Sequence, residues 1–194
     1  MLKNVFLTLI VLVIAIGGGA ASVWYALDAE DPPGAVTFGS WTTQPEAGTP
    51  AADPYARARL AREGVLMLGR TEGLFFVAER DSGGELLRRE CTYVVEGNVP
   101  PARFWTLYAA DASLRVLSSR LPRIPALHSQ AVLRQPDNSF VITAGAKPAP
   151  GNWLAISGHG PMRLLLTLYD TPLTIGTALS DVKLPQVQKV GCDA

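Results

Sequence analysis

An uncharged, apolar segment at the amino terminus constrains the architecture of this chain more than any other feature. From Val5 to Leu27 no side chain carries a charge. These 23 residues would extend about 34 Å as an α-helix, enough to cross a hydrocarbon layer roughly 30 Å thick. A buried core helix is disfavoured because the segment has no polar face. The sequence therefore predicts a transmembrane anchor over residues 1–27.

Charges on either side of this segment predict its orientation. Lys3 precedes the segment, whereas Asp28, Glu30 and Asp31 follow it. Positive charge is retained on the cytoplasmic side of a membrane. We therefore expect a single-pass inner-membrane protein with a cytoplasmic amino terminus and a periplasmic C-terminal domain.

A cleaved secretory signal is the alternative interpretation of the same segment. Val5–Ile16 is long enough for a signal core, and the small residues of 17–21 supply a cleavage-site pattern. Retention is favoured because Lys3 is the only basic side chain before the core, and Trp24 and Tyr25 lie where interfacial aromatics belong. Both interpretations export the same domain.

Composition divides the remainder of the chain into two parts. Residues 28–52 are rich in Pro, Gly, Thr and Ala and predict a tether. Residues 53–194 are predicted to form one β-rich extracytoplasmic domain, long enough for a hydrophobic core. The formal net charge is zero and no basic run is present, so nucleic acid is excluded as an expected partner.

Two cysteines, Cys91 and Cys192, follow the apolar segment. In an oxidising compartment a disulfide between them is favoured over two unrelated thiols. The bond would attach the tail, Val187 to Cys192, to the strand that carries Cys91. These cysteines and the two distant histidines lack zinc-site spacing, so no metal or cofactor is expected.

Local patterns predict one helix followed by short strands. Asp53 and Pro54 are typical of a helix start and Gly64 of a helix end, with Tyr55, Ala56, Leu60 and Ala61 on the inner side. Strands are expected over Leu74–Glu79, Leu86–Val95, Phe104–Tyr108, Arg115–Ser118, Ala131–Leu133, Phe140–Thr143 and Met162–Tyr169, the last one central and buried on both sides. The fold class is therefore mainly β: a sandwich or jelly-roll-like domain with one leading α-helix.

Three segments near the carboxyl end resemble a known family. Asn152-Trp153-Leu154, Gly160-Pro161 and the strand Met162–Tyr169 are similar to the C-terminal signature of the bacterial domain of unknown function 1214. Upstream segments, Arg57-Ala58, Asp81–Gly84 and Arg103-Phe104-Trp105, follow in the family's order, so that the resemblance spans about Tyr55 to Pro172. The sequence departs from the family's usual residues at Ala155, Met162 and Thr167. The resemblance implies a β-rich, jelly-roll-like fold and an association with a companion domain of unknown function 1254, but no reaction.

Asn152 and Trp153 form the leading candidate for a ligand site. An indole ring beside an amide is a common way to hold a sugar, by stacking and by hydrogen bonds to hydroxyls. Arg103, Trp105 and Tyr108 would line the same surface. In the alternative interpretation, Trp105 and Trp153 fill the core and Asn152 bonds to local backbone.

His159 lies in a Gly-flanked loop two residues after Ser157, which suggests a rival, catalytic interpretation. Asp111, Asp137 or Asp170 would have to orient the imidazole beside Trp153, giving a hydrolase or transferase that acts on envelope carbohydrate. The chain lacks the Gly-x-Ser-x-Gly elbow that exposes a nucleophilic serine. No catalytic residue is therefore assigned.

An anchor, a tether and a domain without a catalytic signature favour a binding or assembly module of the bacterial cell envelope. Tethering raises the local concentration of such a module near the membrane. The expected partners are the inner membrane, through Val5 to Leu27, and an envelope protein or glycan.

Overall fold

The computed structural model describes residues 2–28, 34–64, 68–69, 71–118, 125–174 and 182–192. Within these residues the chain is mainly β, as predicted, with ten strands, two α-helices and one 3₁₀ turn. The helices are α1 (Leu2–Asp28) and α2 (Pro54–Glu63), and the 3₁₀ turn is Pro172–Thr174. The strands are β1 (Val36–Phe38), β2 (Trp41–Thr43), β3 (Gly73–Ala78), β4 (Cys91–Gly97), β5 (Phe104–Ala110), β6 (Ala126–His128), β7 (Phe140–Gly145), β8 (Asn152–Ala155), β9 (Arg163–Tyr169) and β10 (Gln186–Cys192).

Helix α1 contains the predicted apolar segment. Among the described residues it is the one helix that is long and apolar enough to cross a membrane, over Leu2–Leu27, and none of that span is buried in the protein. A signal sequence would have the same properties, so both interpretations stay open. The orientation stays a prediction, and Glu30 and Asp31 lie outside the described residues.

Helix α2 begins and ends at the predicted residues. The Asp53 side chain accepts hydrogen bonds from the backbone N–H groups of Tyr55 at 2.8 Å and Ala56 at 3.4 Å, which satisfies donors that the first helical turn leaves free. Gly64 ends the helix in the left-handed conformation, with φ at 66°. The predicted inner face is only partly correct, because Ala56 is buried but Ala61 is exposed and Tyr55 is 45% exposed.

Six strands form the larger sheet in the order β1-β2-β3-β9-β5-β6. Strand β9 lies between β3 and β5, antiparallel to both. Leu164, Leu166 and Leu168 face the hydrophobic core, while Leu165 and Thr167 are buried on the opposite face. A strand covered on both faces has a continuous apolar sequence. The prediction of a central strand that is buried on both sides is confirmed.

Four strands form the smaller sheet in the order β10-β4-β7-β8. Tyr93, Ile142 and Leu154 from this sheet belong to one core cluster with the inward leucines of β9. Two sheets that share a single core define a sandwich. Strands β7 and β8 are parallel, which departs from the antiparallel pattern of a jelly roll, so the finer assignment is not confirmed.

Part of the predicted tether belongs to the larger sheet. Strands β1 and β2 lie within residues 28–52, and β2 pairs with β3. Trp41 is 1% exposed, and its indole N–H donates to the carbonyl of Pro185 at 2.7 Å. Two three-residue strands give almost no local pattern, and their stability comes from the pairing with β3 and from Trp41 burial.

Two predicted strands are wrong in position. Of Arg115–Ser118, only Val116 pairs, in an isolated bridge to Ala110, and Ala131–Leu133 forms turns rather than a strand. Pairing with β5 is instead taken by β6, Ala126–His128, because tertiary pairing overrides the local strand preference of a short segment.

The predicted disulfide is present. Cys91 and Cys192 are joined at an S–S distance of 2.03 Å and are register partners on the adjacent strands β4 and β10. Val187 of β10 is fully buried in the core. The tail is therefore attached to the strand that carries Cys91, as the sequence predicts.

Candidate functional site

The Asn152 side chain is used within the fold rather than presented to a ligand. Its Oδ1 accepts from the backbone N–H of Leu133 at 2.7 Å, and its Nδ2 donates to the carbonyls of Leu133 and Val141, both at 2.9 Å. The side chain is buried. Asn152 thus links residues 131–134 to β7 and β8. The alternative interpretation expected Asn152 to bond to backbone nearby in the chain, whereas its backbone partners are distant in the chain.

The two candidate tryptophans do not share a surface. Trp153 is half-buried on the outer face of the smaller sheet, where its indole N–H donates to the carbonyl of Gly145 at 3.0 Å. Trp105 is 1% exposed and packs on Phe140 with ring centroids 5.1 Å apart. Trp105 is therefore a core residue, and only Trp153 offers part of a ring to solvent.

The remaining candidates lie in different parts of the domain. Arg103 is exposed at the start of β5, with its guanidinium 3.7 Å from the Asp170 carboxylate. Tyr108 lies on the outer face of the larger sheet, where burial, and secondarily the charge of Tyr169, raises the pKa of its phenol. His159 is exposed in the loop between β8 and β9. The structure does not bring these residues together with Trp153.

The acids that the catalytic interpretation requires are bonded locally. Asp111 accepts from the amides of Ser113 and Arg115. Asp137 accepts from the amide and hydroxyl of Ser139, and these bonds lower the pKa of its carboxyl. Within the described part of the chain, no group of three or more His, Cys, Asp or Glu residues is placed to hold a metal ion.

The Gly160-Pro161 segment also builds the fold. The Gly160 N–H donates to the Glu90 carboxylate at 2.9 Å, and the Gly160 carbonyl accepts from the Arg89 amide at 2.9 Å. Hydrogen bonds from the Glu90 and Gly160 amides, together with Arg88, lower the pKa of the Glu90 carboxyl. This part of the family signature, Gly160-Pro161, therefore connects the β8–β9 loop to the segment that precedes β4.

A groove of about 1150 Å³ lies against the outer face of the larger sheet. Thr42, Phe75 and Val77 of β2 and β3 contribute to its floor, since they alternate with the core-facing residues of those strands. The opposite side includes Leu27 from the last turn of α1 and Leu60 from α2. The groove thus lies where the apolar helix meets the β-rich domain.

Charged side chains surround this groove. Arg163 pairs with Glu79 at 2.7 Å and also donates to the carbonyl of Ala112 at 2.6 Å. Arg59 of α2 donates from Nη2 to the carbonyl of Ala26 at 3.2 Å. A cation near the carboxyl end of a helix interacts favourably with the helix dipole, and this contact fixes α2 against the last turn of α1.

Two polar atoms beside the groove are buried and unsatisfied. Thr43 is 3% exposed, and neither its Oγ1 nor the Nε2 of Gln44 has a hydrogen-bond partner in the described residues. Both residues border the groove. An unsatisfied buried polar group costs about 1–3 kcal/mol, so this strand end carries an energetic cost that most of the sandwich avoids.

Sequence patterns did not reveal this groove. The strand that contains Thr42 lies in the segment that was predicted to be a tether. One signal was present, because Arg59 and Arg62, which both line the groove, are three positions apart on one helix. The contact with α1 depends on tertiary structure and has no local signature.

The fold and the groove together define a two-sheet β-sandwich domain joined to an apolar N-terminal helix. The family described as "Protein of unknown function (DUF1214)" matches residues 72–173, just over half of the 194 residues. The chain belongs to this family, which confirms the predicted family resemblance. No curated protein matches the chain.

Two solved structures are similar to this chain. The VPA0106 protein from Vibrio parahaemolyticus is 19% identical, with a TM-score of 0.56 over 72% of this chain and 36% of that chain. An uncharacterised protein from Burkholderia cenocepacia is 18% identical over 76% of this chain and 45% of that chain, with a TM-score of 0.38. The chain spans less than half the length of either structure, and the first supports the fold alone.

Proposed function

We propose that this protein is a membrane-anchored module of the bacterial cell envelope, whose β-rich domain faces the periplasm and binds an envelope protein or glycan. The groove between the larger sheet and the end of α1 carries this proposal. It combines apolar walls with charged side chains, which is the composition of a binding site rather than of an inert surface.

The position of the groove supports action at the membrane surface. Leu27 belongs to both the apolar helix and the groove. A partner held there lies within reach of the bilayer, and the anchor keeps the module at a high local concentration beside it. The contact from Arg59 to Ala26 limits the freedom of the domain relative to α1.

A pull-down from detergent-solubilised membranes tests the proposal. We expect the full-length protein to recover an envelope protein or glycan above background, and the variant Thr42→Arg to lose it, because a long cation would fill the groove floor. Thr92→Arg, on the outer face of the smaller sheet, is the matched control and should retain it. Recovery of no envelope component, or equal recovery by both variants, would contradict the proposal.

The orientation requires a separate measurement. Alkaline phosphatase fused after the carboxyl terminus should be active if the domain is exported, because that enzyme needs an oxidising compartment. A fusion that is inactive, while a cytoplasmic reporter at the same position is active, would overturn the periplasmic location.

A further inference from the structure

We propose that the groove binds an extended peptide segment of an envelope protein, which pairs with the open edge of β1 as an additional strand of the larger sheet. The proposal rests on the proposed function and deepens it, because it names the class of partner for the same groove. The open edge of β1 is the side of that strand that faces away from β2.

The groove includes one end of the larger sheet. Strand β1 is the first strand in the order of that sheet, and its neighbour there is β2. Every residue from Thr37 to Gln44 lines the groove. The groove therefore offers the edge of a strand as well as apolar side chains.

The hairpin that joins β1 to β2 decides which backbone groups of β1 are unpaired. Its turn contains two residues, 39–40, so the flanking residues Phe38 and Trp41 form a hydrogen-bonded pair. Such pairs alternate with non-bonded pairs along an antiparallel ladder, and Thr37 opposite Thr42 is the non-bonded pair, with the two hydroxyl oxygens 3.3 Å apart. The Thr37 N–H and carbonyl thus point away from β2, and neither has a hydrogen-bond partner among the described residues.

Two other sheet edges are closed by contacts that β1 lacks. On β10, the Val187 carbonyl accepts from the Ser82 amide at 2.7 Å, and a register shift interrupts the pairing near the carboxyl end of the strand. On β6, the His128 carbonyl accepts from the Ala131 amide at 3.0 Å. Charged residues, prolines and bulges also protect edge strands from added strands, whereas β1 contains no charged residue and no proline, and its three pairs with β2 are in regular register.

The unpaired backbone groups identify the class of partner. An N–H and a carbonyl on one strand edge are complemented by the backbone of another extended chain, and the side chains of that chain alternate between two sides. One side would contact Thr37 and the groove floor. The other side would contact Val36, which is 37% exposed, and Phe38, which packs on Phe76 with ring centroids 6.2 Å apart. We therefore expect β-branched or aromatic residues at alternate positions of the peptide.

Selection of peptides on the full-length protein in nanodiscs tests the proposal. The probe is a phage-displayed library of peptides of about ten residues, the length of a long strand, and empty nanodiscs remove peptides that bind lipid. We expect a selected peptide to bind the unmodified protein and Thr37→Val equally, because valine keeps the backbone N–H. Binding to Thr37→Pro should be about tenfold weaker or more, since proline lacks the N–H and its ring blocks the edge. Proline is tolerated on an edge strand, and β1 keeps its bonds to β2 through Val36 and Phe38.

Hydrogen exchange provides a second measurement that does not depend on a substitution. The Thr37 amide of the unmodified protein should exchange about tenfold more slowly when the selected peptide is bound. The amide of Thr92, on the smaller sheet, is the control and should exchange at the same rate with and without peptide. Unchanged exchange at Thr37, or equal binding of the peptide to Thr37→Pro, would overturn the pairing with β1.

The remaining outcomes separate this proposal from the proposed function. If no peptide is selected, glycan strands prepared from peptidoglycan are the second probe. Binding of these strands that Thr42→Arg abolishes would make the partner a glycan, so that the proposed function stands and the peptide is excluded. Dimerisation in detergent that Thr37→Pro abolishes would assign the open edge to a second copy of the chain and overturn the proposal. If neither probe binds, both proposals fail.

Discussion

Asn152 binds both backbone polar groups of Leu133, since its Oδ1 accepts from the Leu133 N–H and its Nδ2 donates to the Leu133 carbonyl. The third bond, to Val141, completes the hydrogen bonding of a buried amide. The most prominent segment of the family resemblance is therefore explained by its contribution to the fold. A signature within a family of unknown function need not mark a ligand site.

Replacement of Asn152 tests this structural role. Asn152→Ala should lower the free energy of unfolding by about 2–3 kcal/mol, because it removes three hydrogen bonds of a buried side chain and leaves backbone groups of Leu133 and Val141 without this partner. Urea denaturation of the full-length protein in detergent provides the measurement. The exposed Asn98→Ala is the control and should change stability by less than about 0.5 kcal/mol. If Asn152→Ala has the same free energy of unfolding as the unmodified protein, the Asn152 amide does not stabilise the fold.

The disulfide should stabilise the domain strongly. It joins residues separated by 101 positions, and loops of this length correspond to about 4–5 kcal/mol in the chain-entropy model, with measured values often lower. Reduction and alkylation should therefore lower the free energy of unfolding by about 3 kcal/mol. The paired variant Cys91→Ser/Cys192→Ser should show the same loss and no further response to reductant. If reduction leaves the unfolding midpoint unchanged, β10 is held by its other contacts.

The unsatisfied hydroxyl beside the groove predicts a stabilising substitution. Thr43→Val removes a buried Oγ1 that has no partner in the described residues and keeps the shape of the side chain, so we expect a gain of about 1 kcal/mol. Thr171→Val is the matched comparison, because the Thr171 hydroxyl donates to the carbonyl of Pro101 at 2.8 Å. That variant should lose about 1–2 kcal/mol. Urea denaturation of both proteins measures the contrast, and a loss in Thr43→Val would indicate a partner for its hydroxyl.

The raised pKa values of two tyrosines predict that the free energy of unfolding falls at alkaline pH. Burial raises the pKa of Tyr108 and of Tyr93 above the ordinary value of 10.0, so the folded state binds more protons than the unfolded state around that pH. Their contribution is complete below about pH 10 and is lost as the pH rises through the folded-state pKa. Urea denaturation between about pH 9 and pH 11 should show that the free energy of unfolding declines less in Tyr108→Phe than in the unmodified protein. Tyr25→Phe, in the last turn of α1, is the control and should decline as the unmodified protein does.

Local chemistry in the sequence determined the features that depend on neighbouring residues. The cap at Asp53 and the stop at Gly64 predicted the bounds of α2, because capping groups act within one helical turn. The continuous apolar run of β9 predicted a strand covered on both faces. Length and lack of charge predicted α1. The bond between Cys91 and Cys192 joins distant residues, and it was predicted because the chain has two cysteines and the expected export places both in an oxidising compartment.

Tertiary structure alone decided the features that depend on distant residues. Strands β1 and β2 exist through pairing with β3, and the groove exists because α2 contacts the end of α1. The predicted ligand residues do not share a surface, because aromatic and polar side chains can pack in the core or bond to backbone as readily as they bind a ligand. Local patterns thus predicted the apolar helix and the fold class, and the cysteine count predicted the disulfide. Three-dimensional packing decided which side chains share a surface, since such contacts join residues that no local pattern relates.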